Sequence, residues 1–343
     1  MSKSAIDTAL SSGSDLDDVV KPTLWQRFTA HMKKWWWVHG IVIIVVVLVT
    51  VLPLVYVGVP HFANAYINKF QYNETGLAIT NPRPNAIHLS QKSKIATGGG
   101  FTGSGHLEPF NASLREPSTN QEFAVFSVPE IEFSGSVELD IDQDLELLCV
   151  DCMSQLAIAA ATNQSLSVLV RGTPDLKYGA LPTAHLNIDK TIKMNGYNVT
   201  EFLNSPGAFN VTGIDLLKEK VNGYNVNATI TIQNPTPFTV ELGHIAFNLT
   251  IGDDDTPLGY VDLPNVMLEQ DVSSTVFWGS LDTEKLIDEA LTGSGTLGTV
   301  TIGVKGYSCD YNGQTIPYYE AAIKAINAKA TLDLFNYASS LFD

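Results

Sequence analysis

Three cysteines, seven histidines and a few glycine-rich runs are the residues of this chain whose types and spacing could do chemistry. Cys149 and Cys152 form a C-x-x-C pair. Such a pair serves redox exchange in a thioredoxin-like unit, or supplies half of a zinc site when a second pair completes it. Neither context is present, and Cys309 stands alone, so a local disulfide between Cys149 and Cys152, or buried thiols, is expected. The histidines include no H-E-x-x-H and no pair at metal-ligand spacing. Gly98-x-Gly100-x-x-Gly103 and Gly293-x-Gly295-x-x-Gly298 both spell a dinucleotide fingerprint. That mechanism needs a strand before the glycines and a helix N-terminus after them, to bring backbone amides to a pyrophosphate. The second run has the reverse order and the first lies in a loop. Asp253, Asp254 and Asp255 read as a solvated turn rather than a calcium loop. Gly103-Ser104-Gly105-His106 lacks the spacing of a nucleophile elbow. The sequence therefore predicts a non-enzymatic protein with no catalytic residue, cofactor or metal. A β-sandwich carbohydrate hydrolase is the enzymatic alternative, because paired carboxylates are abundant in an acidic chain.

What positions the chain is clearer. Of 343 residues, 45% are apolar and the net charge is −16. Residues 1–40 carry five Lys or Arg against four Asp, so the negative charge lies almost wholly beyond them. A surface that acidic repels phosphate backbones, which argues against nucleic acid as a partner. No Lys, Arg, Asp or Glu occurs between Lys34 and Lys69. Within that gap residues 38–59 are mostly Val, Ile and Leu, and as a helix they would span roughly 33 Å, close to a hydrocarbon core of about 30 Å. Trp35, Trp36 and Trp37 suit an interfacial belt, and Lys21, Arg27, Lys33 and Lys34 precede the run. The expectation is a retained signal anchor in a single-pass type II protein. A mostly disordered cytosolic tail (1–34) precedes a transmembrane segment (35–60) and a lumenal or extracellular ectodomain. Seven N-x-[ST] sequons, at Asn73, Asn111, Asn163, Asn198, Asn210, Asn227 and Asn248, fit a glycosylated ectodomain.

The ectodomain reads as a duplication. Leu77-Ala-Ile-Thr-Asn-Pro-Arg-Pro84 corresponds to Ile230-Thr-Ile-Gln-Asn-Pro-Thr-Pro237. Val128-Pro129 corresponds to Leu263-Pro264, and Val168-Leu-Val-Arg-Gly172 to Ile302-Gly-Val-Lys-Gly306. In each Asn-Pro-x-Pro element, Pro biases the preceding Asn toward extended backbone and ends a strand. Period-two apolar alternation marks half-buried strands, as in Val137, Leu139 and Ile141, or Ile245, Phe247, Leu249 and Ile251. Gly243 reads as a bulge. One helix is predicted per half, over 144–161 and 282–291. This pattern predicts an all-β fold: two tandem β-sandwich domains, each with a helix, at 65–205 and 206–343.

The run from Ile230 to Leu281 resembles the water-stress and hypersensitive-response domain of group-two late embryogenesis abundant proteins. The residues that carry this are Ile232-Gln-Asn-Pro-Thr-Pro-Phe238, the strand Ile245 to Ile251, Leu258-Gly259 and Val276-Phe277. The first half is similar to a related fungal domain of unknown function, and the whole chain looks like a fungal membrane protein of that group. The resemblance implies immunoglobulin-like sandwiches and a place in the vacuole or endomembranes, or in the plasma membrane. It also implies the possibility of a lipid held between helix and sheet. The first functional expectation is a membrane-anchored scaffold or protein-interaction ectodomain, and the alternative is a lipid-binding or lipid-transfer module. Partners would be the bilayer, through residues 38–59, and a bound lipid or another lumenal or surface protein. A helix apolar on most faces is either buried all round or lines a cavity, which makes Leu145, Leu148 and Leu156 the candidate wall of a lipid groove. A continuous apolar cleft of several hundred cubic ångströms would favour the lipid reading.

Overall fold

The computed structural model describes residues 44–50, 57–58, 61, 76–96, 105–133, 136–205, 209–234, 236, 238–252, 255–292 and 298–333. They belong to two compact units, Met1–Val57 and Gly58–Asp343. In the first, residues 44–50 are helical and all exposed. Among the described residues no helix is long and apolar enough to cross a membrane. The tail 1–34, most of the 38–59 run, Asn73 and the first glycine fingerprint lie outside the described residues.

The second unit is mostly β. Its first half contains β1 (Leu77–Arg83), β2 (Ala86–Ala96), β3 (Gly105–Leu107), β4 (Phe110–Arg115), β5 (Glu122–Val128), β6 (Ile131–Phe133) and β7 (Ser136–Glu146). Helix α1 (Val150–Thr162), β8 (Ser165–Gly172), β9 (Asp175–Tyr178), β10 (Ala184–His185), β11 (Ile188–Asn195) and the short α2 (Val199–Leu203) follow. The second half opens with β12 (Phe209–Val221), β13 (Tyr224–Asn234), β14 (Phe238–Ile251), β15 (Thr256–Leu268) and β16 (Asp271–Leu281). It closes with α3 (Thr283–Thr292), β17 (Thr299–Tyr311), β18 (Gln314–Thr315), α4 (Pro317–Ala325) and β19 (Asn327–Asp333).

Four strands, in the order β11-β8-β4-β5, form one antiparallel sheet. The other fifteen form a single large sheet that runs through both halves. The link is β14. Its start pairs in parallel with β1, Leu77 opposite Phe238, and from His244 onward the strand pairs antiparallel with β17. The register shifts around Gly243, where the expected bulge occurs. Gly243 has φ +82, and a Cβ there would meet the Asp310 carbonyl at 2.7 Å, so no larger residue fits the turn-over. Gly306, one of the duplicated landmarks, serves close approach instead. A Cβ on it would fall 1.7 Å from the Ile323 carbonyl, so its absence lets β17 lie against α4.

Three expectations are corrected. The boundary at 205/206 does not separate two compact units: Gly58–Asp343 is one, because the β1–β14 pairing makes a sheet common to both halves. One buried cluster likewise draws Ile87 and Leu145 from the first half and Ile245, Cys309 and Tyr318 from the second. The first helix begins at Val150, not at Asp144. Residues 144–146 continue β7 in register with β2, Leu145 opposite Ile87, and Cys149 caps the helix by accepting the Cys152 amide at 3.1 Å. Asn81 is not extended but left-handed, with φ 47. Asn tolerates that region, and the Asn81 amide donates to Glu241 Oε2 at 2.8 Å across the β1–β14 junction.

Candidate functional site

Alternate residues of a strand face one side of its sheet. Along β2 the inward residues are Ile87, Leu89 and Gln91, and along β7 they are Leu139, Ile141 and Leu145. On the four-stranded sheet, β11 alternates strictly between half-buried and exposed, with Ile188, Lys190, Ile192 and Met194 on the inner side. These inner faces do not close on one another. Together with α1, α2, α3, α4 and the inner faces of β12 to β17, they line one cavity of about 980 Å³. That is at the upper end of the roughly 300–1,000 Å³ typical of ligand sites.

The lining is apolar almost throughout. Its polar members are Gln91, Lys190, Thr283 and the phenols of Tyr197 and Tyr319, and no carboxylate belongs to it among the described residues. Burial lowers the Lys190 ammonium pKa and raises the phenols of Tyr197 and Tyr319. Tyr197 donates to Asn234 Oδ1 at 2.7 Å. Asn234, buried at the end of β13, also accepts the Thr236 amide and donates to the Phe238 and Glu269 carbonyls. It is a structural knot at the rim of the second Asn-Pro-x-Pro turn. Pro235 and Pro237 themselves lie outside the described residues.

Of the three leucines expected to wall a groove, the structure brings two to the cavity. Leu145 is fully buried on β7 and Leu156 faces in from α1. Leu148 is a correction: it is 62% exposed and lines nothing. It stands before the helix rather than on it, held in the connection by its amide on the Phe123 carbonyl. Cys149 and Cys152 are joined in a disulfide. Cys309 is fully buried and burial pushes its thiol up to about 12, which makes it inert at neutral pH.

Six of the seven sequon asparagines are described. Asn111, Asn163, Asn210 and Asn248 are exposed and Asn198 and Asn227 are half-buried, so none is sealed in the core. Of the second glycine fingerprint only Gly298 is described, in a turn before β17 with its amide on the Ala290 carbonyl. Asp255 is left-handed and its carboxylate pairs with Lys329 at 2.9 Å.

The groups most suited to acid–base chemistry lie away from the cavity. His88 sits between Asp142 and Asp144, at 3.0 and 2.8 Å. His244 sits between Asp310 and Asp262, at 2.8 and 3.2 Å. Neither pair of partners belongs to the lining. For His244, burial alone would lower the pKa, but the hydrogen bonds and charges of Asp310 and Asp262 outweigh it and leave the imidazolium favoured. Among the described residues no group of three or more His, Cys, Asp or Glu is placed to hold a metal ion. The arrangement can take in an apolar molecule, with the Lys190 side chain as the cation of its wall among the described residues.

Residues 121–249 match the family described as "Protein of unknown function (DUF3712)". The match runs from β5 into β14 and so crosses from one half to the other. Among curated proteins there is no match. Among solved structures the chain is similar to Amycolatopsis orientalis exo-chitosanase CsxA, in complex with PNP-beta-D-glucosamine, at 9% identity and a TM-score of 0.20. That alignment covers 76% of this chain and 26% of the chitosanase, so this chain spans about a quarter of that protein's length. It is also similar to the YadV chaperone, at 10% identity and TM-score 0.18, covering 76% of this chain and 98% of that one. The periplasmic chaperone SfaE follows at 10% identity and TM-score 0.15, with coverages of 68% and 95%. Likenesses this distant say nothing about what the chain binds.

Proposed function

We propose that this chain is a membrane-anchored lipid-binding protein, which holds long-chain apolar molecules in the cavity between its sheets and helices. The observation that carries this reading is a cavity of about 980 Å³ with an almost wholly apolar lining. The wall is apolar surface left facing solvent, at roughly 25 cal/mol for each Å² that a ligand would cover. Water is a poor filling, because each buried water needs about three polar partners and the lining offers few. An apolar ligand removes both costs.

The apolar run 38–59, with cationic residues before it, supports an anchor with its N-terminus in the cytosol and the β-rich part lumenal or extracellular. In that arrangement the β-rich part is a pair of duplicated sandwiches merged through β1 and β14. The scaffold or interaction reading gives no reason for a hollow core. A row of exposed apolar residues on β16, Val272, Val276 and Trp278, supports a protein contact as a second role.

The test uses the full chain in detergent and a fluorescent long-chain fatty acyl probe. Leu156→Asp places a carboxylate in the lining, where an unpaired charge is strongly disfavoured, and probe affinity should fall at least about tenfold. Leu148→Asp, on an exposed side chain, should bind like the wild type. Absence of binding by the wild type, or equal binding by all three proteins, would refute the proposal.

A further inference from the structure

The inner row of β11 contains one charged side chain. Ile188, Lys190, Ile192 and Met194 all belong to the cavity wall, and they stand opposite Gly172, Val170, Val168 and Leu166 of β8, which belong to it too. The outer row of the same strand is Asp189, Thr191, Lys193 and Asn195, all exposed. The strand thus has four outward positions for polar side chains, yet Lys190 takes an inward one. A leucine there would complete the apolar row. Among the described residues the wall holds no other cation and no carboxylate.

Its place in the sheet gives the cation a direction. β11 is the end strand of the order β11-β8-β4-β5. Lys190 pairs with Val170 of β8, and Val170 with Leu114 of β4, so one line across the inner face runs from a cation at the sheet's edge into apolar side chains. A lysine stem lies along apolar surface while its ammonium keeps to the more polar end. Half-burial lowers the pKa of this ammonium, because leaving water disfavours the charge, and an anion beside it offsets that cost. An ammonium has three donors, so it can serve a protein partner and a ligand oxygen together. The molecule matched to this line is amphipathic, with an anionic head at the edge strand and a long apolar tail over β8 and β4. A neutral lipid would leave the cation unused, and a cationic one would be repelled.

We infer that the cargo of this cavity is a long-chain amphiphile with an anionic headgroup, a carboxylate or a phosphate ester, and that Lys190 holds the head while the tail covers the apolar wall. This rests on the lipid-binding reading above and adds the charge of the ligand and one specificity-determining residue.

The experiment measures binding of three probes with one shared tail, oleate, oleyl phosphate and oleyl alcohol, to the full chain in non-ionic detergent. A hydrogen bond to a charged group is worth roughly a tenfold change in affinity. The wild type should bind at least one of the two anions about tenfold more tightly than the alcohol, and the tighter of the two identifies the head as carboxylate or phosphate. Lys190→Met, which keeps the stem and removes the charge, should bring the anion-to-alcohol ratio close to one, and Lys190→Arg should preserve most of it. Lys193→Met, on the exposed face of the same strand, should keep the wild-type ratio, which separates the wall cation from general surface charge. Equal binding of all three probes by the wild type, or an anion preference that survives Lys190→Met, would overturn the inference and leave the lipid-binding reading standing. Failure to bind any of the three would sink both. If Lys190→Met fails to fold, the wild-type ratio still decides.

Discussion

Tyr318 and Tyr319 are neighbours on α4 and share one buried cluster, yet only Tyr319 belongs to the cavity wall. Tyr318 is fully enclosed, as are Cys309 and Ile316 beside it in the chain's solid core. Its hydroxyl bonds to the turn between β1 and β2 and ties the last helix to the first hairpin. Tyr319 contributes to the wall of the hollow, while its hydroxyl is sealed and unpartnered. The same residue type, one position apart, closes a core in one case and lines a vessel in the other. Close packing is what makes a protein interior solid, and here it stops at one face of a helix.

The sharpest way to break this comparison is to remove each hydroxyl in turn. Tyr318→Phe removes the one proton that the Arg83 and Ala86 carbonyls share, and should cost about 1–3 kcal/mol in denaturant unfolding. Tyr319→Phe removes a group with no protein partner, and should be neutral or slightly stabilising in the ligand-free protein. Equal losses from both would mean that the two positions are built alike.

A smaller effect comes from the polar network outside the hollow. His244 has its pKa raised in the folded chain, so its contribution is fully present below the unfolded value of about 6.5 and fades as pH rises through the folded one. With a side chain about a third exposed, the effect should stay under about 1 kcal/mol. His244→Gln should therefore lower Tm more at pH 6 than at pH 8. An identical loss at both pH values would show that Asp262 and Asp310 do not hold the charged form.

The solid and hollow regions were not equally legible in the sequence. Period-two alternation located the strands, because facing depends only on the pleat: Ile245, Phe247 and Leu249 all turn inward on β14. The same alternation runs on through Leu139, Ile141 and Leu145, which is why β7 reaches past the expected helix start. It would also have revealed β11, where Ile188, Lys190, Ile192 and Met194 repeat it. What alternation cannot carry is the distance between two facing sheets, so an inward leucine reads the same over a packed core and over a cavity. The parallel pairing of β1 with β14 joins residues about 160 positions apart and has no local signature. Lys190 gave a weak signal: a cation in the inward row of an otherwise apolar strand face.

The central claim is that the hollow holds an apolar ligand, and native mass spectrometry of the full chain, released from detergent micelles in the gas phase, tests it most directly. The account predicts a population heavier than the 37.2 kDa polypeptide by the mass of one or more lipids, persisting after glycan removal, and absent from Leu156→Asp. A wild-type protein that flies at the bare polypeptide mass, with the same melting behaviour before and after delipidation, would contradict it.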